Sequence, residues 1–331
     1  MKASEALGLC KLADSGVASV TSQARVANLW AGMGSIIRLE CSGGSQKSII
    51  AKRIRCPCDP SSIGDQRKAA SYRVEASFYA SKYCRELSEE GICCEGLHTE
   101  DDGKGSITIL MRPLPNETLS YMEGKVAEAA VRSVAKLHAY FWGSERAREA
   151  VEETGLAEQG TYWYLDTRPD EYDRMDGNRG LSARLKRAAH GIDAALKEHE
   201  YQTICHGDLK ACNMSLSRNP DFVTLVDFQY LGKACPAKDL AYLFVCGIDV
   251  DDDFEARRED ELLRLYIEEL AANGVGDDAD APLPTMEKLK EALDLSYCDL
   301  YRWMLGWGVW GNGFLEGRVE ACMNNYGSMY N

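Results

Sequence analysis

CHGDLKACN, residues 205–213, is followed by LVDFQ, residues 225–229, at the end of an apolar run. Four residues separate Asp208 from Asn213, and Asp227 lies fourteen residues beyond Asn213. This order of aspartate, asparagine and strand-end aspartate is the layout of a kinase catalytic loop and its metal site. The chemistry explains the spacing. Phosphoryl transfer needs little covalent help, so the site must set a carboxylate near the attacking hydroxyl and hold Mg²⁺ across the phosphates. Asp208 is the candidate that orients or deprotonates the acceptor, and Lys210 is placed to reach the transferring phosphate. Asn213 and Asp227 supply the hard oxygen ligands that Mg²⁺ prefers. A lone D-x-x-x-x-N is common by chance; HGD before it and LVDF after it give the pattern its weight.

Upstream, the first third alternates like a sheet. SIIRLEC (35–41) and SIIAKRI (48–54) read as strands joined by CSGGSQ, which has hairpin chemistry. Lys52 ends the run IIAK, the context in which a strand lysine reaches nucleotide phosphates. Residues 67–87 turn helical, with Tyr72, Ala76, Tyr79, Tyr83 and Leu87 at spacings of three and four. Glu75 on that helix is the expected partner of Lys52. SITILM (106–111) is a further strand after the DDGKG turn, and its last residue, Met111, is placed with the nucleotide-binding group. In LWAGMGSI, Gly32, Gly34 and Ser35 form a candidate phosphate-binding turn, although a plain hairpin turn fits the same residues.

Past MRPLPNE the period becomes helical, with stripes at Ala127–Phe141 and Leu181–Leu196. Residues 155–180 are polar and aromatic and do not fit an ordinary short connection. The expectation is an α+β chain with a small β-rich, nucleotide-binding lobe (1–112). A larger, mostly helical lobe (113–331) carries the catalytic loop, metal site and acceptor pocket.

These motifs resemble the aminoglycoside phosphotransferase and choline kinase superfamily, and most closely its ecdysteroid-kinase-like branch. LWAGMGSIIRL, YRVEASFY, AKLHAYFW, CHGDLKACN and LVDFQYLGKACPAKDLAYL carry the resemblance, sampling residues 29–245. It implies the bilobal protein-kinase-like fold, ATP and Mg²⁺ as cofactors, and transfer of the γ-phosphate to a hydroxyl of a small molecule. It further implies that Asp239 and His206 brace the catalytic loop. DFQ in place of DFG fits that branch, and no A-P-E segment follows Asp227, which disfavours a protein kinase. A catalytically silent nucleotide-binding scaffold is the alternative from another class. Such proteins usually lack a base, metal ligand or lysine, and here Lys52, Asp208, Asn213 and Asp227 are all present.

Composition bounds the partners. The net charge is −14, which argues against a nucleic-acid partner. Residues 1–112 hold 15 Lys and Arg against 13 Asp and Glu, whereas the remainder holds 23 against 39. No apolar run reaches membrane-spanning length, and the first residues have no secretory stretch. The 13 cysteines lack zinc spacing and read as reduced thiols of a cytoplasmic protein. Cys205 and Cys212 beside the catalytic loop read as buried and inert. His138, on an apolar helical stripe, reads as a hydrogen-bonded core histidine.

The acceptor is the least determined element. Asp299, Trp303, Trp307 and Trp310 recur at spacings of four, four and three, which places them on one helical face after a start at Thr285. Indole faces with a carboxylate suit a cationic or aromatic ligand, and core packing of the tryptophans is the competing reading. Asp249, Asp251, Asp252 and Asp253 add to the acidic lobe, which favours a cationic acceptor over a sterol-like one. Oligomeric state is open.

Overall fold

In the computed structural model, residues 1–57, 62–249, 257–278, 281–325 and 327–330 are described. They divide into two units, Met1–Glu117 with Thr224–Gln229, and Thr118–Val223 with Tyr230–Asn331. The division therefore falls five residues later than the sequence suggests, and the first unit is discontinuous. The cause is local. The Leu225 N–H donates to the Ile92 carbonyl at 2.7 Å, and Thr224 Oγ1 donates to Gly91, so this short stretch pairs with the first unit.

The first unit begins with α1 (Ala3–Ala13) and β1 (Val17–Asn28), neither of which the sequence pattern announces. β2 (Gly34–Gly43) and β3 (Ser48–Arg55) form the expected hairpin. α2 (Ile63–Ala80) and α3 (Lys82–Glu89) follow, then β4 (Gly96–Asp101) and β5 (Ser106–Met111). The five strands make one antiparallel sheet in the order β1-β2-β3-β5-β4. Ala6 and Cys10 of α1 pack with Val17, Leu39, Ile49, Ala51 and Leu110 to form the core on that side.

The single helix expected over 67–87 is two helices, because Ser81 is extended and caps both. Its Oγ donates to the Phe78 carbonyl at 2.7 Å and accepts from the Cys84 N–H at 3.2 Å. A serine side chain that satisfies the ends of two helices stabilises a break there.

The second unit contains α4 (Gly124–Tyr140), α5 (Ser144–Thr154), α6 (Pro169–Arg174) and α7 (Gly180–Lys197). Short strands β6 (Thr203–Cys205), β7 (Met214–Leu216), β8 (Val223–Leu225) and β9 (Gly232–Ala234) frame the candidate catalytic loop; β8 crosses the division after Val223. α8 (Ala237–Tyr242) continues into a π-helical turn at Leu243–Gly247. α9 (Glu259–Ala272), α10 (Met286–Trp307) and α11 (Phe314–Asn325) complete the unit. Thr285 caps α10 by accepting the Lys288 N–H, which puts the helix start where the sequence places it. β8 ends at Leu225, and Asp227 turns the chain just beyond it with a φ of 68°. Among the described residues no helix is long and apolar enough to cross a membrane.

Gly34 illustrates how tightly β2 and β3 meet. A Cβ there would lie 1.9 Å from the Arg53 carbonyl oxygen, at a φ of +140°. Gly32 also has positive φ, +71°, but open space around it. Gly34→Ala should therefore lower the unfolding free energy by about 3 kcal/mol, combining strain with overpacking. Gly32→Ala should cost about 1 kcal/mol, from the left-handed backbone alone. Urea denaturation of the two variants measures the difference, and equal losses would contradict the close approach.

Candidate active site

Within the first unit, Lys52 is buried on β3 and faces Glu75 of α2. Its ammonium lies 2.9 and 2.6 Å from the two Glu75 carboxylate oxygens and 2.9 Å from Asp227 Oδ1. The expected pair thus forms, with Asp227 as a third member. Burial alone would depress the Lys52 pKa, but the facing Asp227 and Glu75 charges hold it above its ordinary value. Burial pushes Glu75 up to about 7, against the pull of Lys52 and of the Phe228 N–H.

Asp227 sits at a left-handed backbone position, a strained state for a non-glycine residue of the kind that clusters at functional sites. Its Oδ1 also accepts from Gln229 Nε2 at 2.7 Å, and the Gln229 amide oxygen accepts from Ser71 Oγ at 3.2 Å. The residue that replaces the glycine of DFG thus fixes the carboxylate, with support from α2. Phe228 packs its ring 4.3 Å from that of Phe78, which anchors the turn.

At the turn Trp30–Gly32, two N–H groups close the turn itself. Gly32 donates to Leu29 and Met33 to Trp30. Gly34 and Ser35 belong to β2, paired with Ile54 and Arg53. The glycine at 34 is demanded by the approach of the Arg53 carbonyl, and a role toward phosphate is not needed to explain it. Met111 is buried at the end of β5, opposite Ile50.

Within the second unit, the catalytic loop is held by one buried carboxylate. Asp239 on α8 accepts the His206 N–H at 2.6 Å and the Gly207 N–H at 2.8 Å. His138 Nε2 lies 3.1 Å from the same carboxylate, and its Nδ1 lies 2.7 Å from the Tyr266 hydroxyl. His138 is thus a hydrogen-bonded core residue, in agreement with its place on the apolar stripe. Gly207 has a φ of +83°, and a Cβ there would meet Thr161 and Tyr230 backbone atoms within 3 Å.

This bracing presents Asp208 with its two oxygens in different states. Oδ2 accepts from Lys210 Nζ at 2.8 Å and from Asn213 Nδ2 at 3.0 Å. Oδ1 is buried with no hydrogen-bond partner among the described residues. The Asn213 amide nitrogen also donates to the Asp208 carbonyl, which directs the amide oxygen the other way, toward only a weak Cys212 thiol contact at 3.8 Å. Cys205 is buried, and burial raises its pKa, but Cys212 is exposed; the expectation of two buried thiols fails there because Cys212 lies in the loop's short turn.

The tryptophan stripe differs most from expectation. Asp299 is buried between Lys238 (2.9 Å) and Arg302 (2.7 Å), so its charge is spent internally. The Arg302 and Lys238 charges outweigh burial and lower its pKa. Trp303 is 1% exposed, whereas Trp307 is 51% and Trp310 37% exposed. α10 ends at Trp307, so Trp310 lies beyond the helix, yet its ring meets Trp303 edge-on at 4.9 Å. Trp303 and Trp307 stack at 6.3 Å, and Tyr162 meets Trp303 edge-on at 4.9 Å. The Tyr162 and Tyr242 hydroxyls share a hydrogen bond of 2.8 Å, and burial with the nearby Asp208 charge raises both phenols.

Tyr162 therefore joins the aromatic wall to the neighbourhood of Asp208. Arg168 lies against the same rings and was not singled out by spacing; the aromatic density of residues 155–180 is the signal that marks this stretch. Asp249 is exposed, and Asp251, Asp252 and Asp253 lie outside the described residues.

The Glu75 carboxyl generates a test. Unfolded, it titrates near 4.5; folded, it keeps its proton to about 7. Between those values the folded state binds more protons, so stability falls as pH rises through that window. Glu75→Gln, which retains the side-chain shape, should remove that slope. Melting temperatures of wild type and variant should diverge between pH 5 and pH 7, with the wild type losing ground. A constant difference would contradict the raised carboxyl.

Residues 166–274 match the family described as the ecdysteroid kinase-like family. Among solved structures, an ethanolamine kinase of Plasmodium vivax is similar at 12% identity, over 91% of this chain and 81% of that one, with a TM-score of 0.50. A macrolide 2'-phosphotransferase type I is similar at 12% identity, over 97% of each chain, also with a TM-score of 0.50. A comparison with curated proteins gives no match. At these identities the likeness of structure speaks for the fold alone, an antiparallel sheet unit followed by a mostly helical one. The stretch that matches the ecdysteroid kinase-like family contains Asp208, Asn213 and Asp227 and overlaps the motifs that carry the resemblance in the sequence.

Proposed function

We propose that this protein is an ATP- and Mg²⁺-dependent small-molecule kinase that transfers the γ-phosphoryl group directly to a hydroxyl of its acceptor. The observation that carries the reading is Asp208, 4% exposed, with Oδ2 fixed by Lys210 and Asn213 and Oδ1 left without a partner. A buried polar atom without a partner is costly unless function uses it. An acceptor hydroxyl that donates to Oδ1 would satisfy it and be oriented for attack. As the oxygen bonds to the γ-phosphorus, the bond from that phosphorus to the β–γ bridging oxygen breaks, ADP leaves with that oxygen, and the carboxylate takes the hydroxyl proton.

Each unit holds a residue whose chemistry suits the implied cofactors. Asn213 and Asp227 offer hard oxygens, and the Asn213 amide is already turned so that its nitrogen serves Asp208. Mg²⁺, when bound, would neutralise phosphate charge and leave the attacked phosphorus more electrophilic. Lys52, kept charged by two carboxylates, is the candidate contact to the nucleotide phosphates, and Lys210 the candidate contact to the group in transfer. The family name, ecdysteroid kinase-like, and the names of the similar structures, an ethanolamine kinase and a macrolide 2'-phosphotransferase, support small-molecule phosphorylation.

The acceptor would lie along the wall of Tyr162, Trp303, Trp307 and Trp310. Cation recognition through Asp299 is withdrawn, because that carboxylate is neutralised by Lys238 and Arg302. An uncharged ring-containing alcohol fits this wall better, its faces stacking on indoles while one hydroxyl reaches Asp208.

Asp208→Asn retains the size of the side chain and removes its basicity. With an acceptor found by an ATP-consumption screen, turnover should fall roughly 100-fold or more. Nucleotide affinity, measured by calorimetry, should be unchanged. Near wild-type turnover in Asp208→Asn would overturn the assignment of the base.

A further inference from the structure

Arg168 stands at the N-cap of α6, and its guanidinium is centred 5.4 Å from the Tyr162 ring, 5.6 Å from Trp303 and 5.8 Å from Trp307. Three ring faces that would attract a cationic ligand are thus already turned toward a cation of the chain itself. We propose that Arg168 is a built-in occupant of this aromatic cage and makes the acceptor site select against organic cations. The inference rests on the reading that the tryptophan wall receives the acceptor.

The arrangement holds Arg168 in place from several sides. Its Nε donates to the Tyr162 carbonyl at 2.6 Å, and Nη1 lies 3.4 Å from Glu171 Oε1. Only 12% of the side chain is exposed. Glu171 is itself 1% exposed and cannot retreat, because Gly306 of α10 presses on its backbone. A Cβ at Gly306 would lie 1.9 Å from the Glu171 carbonyl oxygen. A planar guanidinium that stacks on rings and pairs with a carboxylate is the residue type suited to such a position.

Among the described residues, the carboxylates around the rings are already engaged by cations of the chain. Asp299 is neutralised by Lys238 and Arg302, and Asp208 Oδ2 is paired with Lys210. Arg174 adds a further positive group, 3.7 Å from Glu171 Oε1. A cationic ligand set on these rings would meet Arg168 at contact distance in a partly desolvated wall, where like charges repel more strongly than in water. An uncharged ligand on the exposed Trp307 and Trp310 meets no such repulsion. Glu171 Oε2, buried and without a hydrogen-bond partner among the described residues, shows what removal of Arg168 would leave, a cage whose base carboxylate keeps only the longer Arg174 contact.

The probes are choline and its uncharged isostere 3,3-dimethylbutan-1-ol, titrated into the full chain without nucleotide and followed by tryptophan fluorescence and calorimetry. Wild type should bind the neutral alcohol at least ten-fold more tightly than choline. Arg168→Gln should reverse that order, and Arg168→Lys, which retains the charge, should preserve it. If Arg168→Gln fails to fold by near-UV circular dichroism, the double variant Arg168→Gln/Glu171→Gln removes the orphaned carboxylate and should bind both compounds alike. Equal binding of the two compounds by wild type overturns the proposal, as does an unchanged order in the variants that lack the arginine charge. Binding of neither compound by any variant overturns it too, since the wall is then no ligand site. The predicted order of binding in a chain that transfers no phosphoryl group would overturn the kinase reading and leave this inference standing.

Discussion

A carboxylate removed from water must be met by donors, and Asp239 is met by two consecutive backbone N–H groups and a histidine. Those two N–H groups belong to His206 and Gly207, immediately before Asp208. The direction of the candidate catalytic loop is therefore set by the demand of one buried charge. His138 extends the network to Tyr266 of α9, and Thr203 Oγ1 donates to the His138 carbonyl at 2.7 Å. α4, α8, α9 and β6 thus converge on a single anionic group. Such a network rigidifies only when every member is satisfied, and here each is.

A second buried charge arrangement organises the first unit. Two carboxylates face one lysine, so the three charges do not cancel when both carboxyls are ionised. Glu75 bears the consequence, with its pKa pushed up to about 7 by burial. Asp227 is the more exposed of the two carboxylates and is held by Gln229, which Ser71 supports in turn. The strained turn at Asp227 is stabilised by the Phe228 ring against Phe78, so packing offsets the backbone cost.

Much of this was legible in the sequence, and the reason is distance along the chain. The catalytic loop keeps Asp208, Lys210 and Asn213 within six consecutive residues, because the chemistry needs them close, and short spacing is what sequence reading sees. Lys52 and Glu75 were legible through strand and helix context. β1 was not, since a largely exposed edge strand carries no clean alternation of apolar and polar residues. The break at Ser81 depends on a serine that caps two helix ends, a signal masked by a helical pattern that runs through it. Arg168 could not be paired with Trp303 and Trp307, because more than a hundred residues separate them. Asp299 has Arg302 one helical turn away, a spacing at which a helix forms ion pairs, and the two are paired here.

The central claim is that Asp208 serves a bound alcohol and that the phosphoryl group ends on it. The direct measurement is product analysis after incubation of the full chain with ATP, Mg²⁺ and a panel of uncharged ring-containing alcohols. The account predicts ADP formation that depends on the acceptor, with an equal amount of acceptor heavier by one phosphoryl group on its hydroxyl. ADP released at the same rate without any acceptor, or phosphate recovered only on protein side chains, would contradict it.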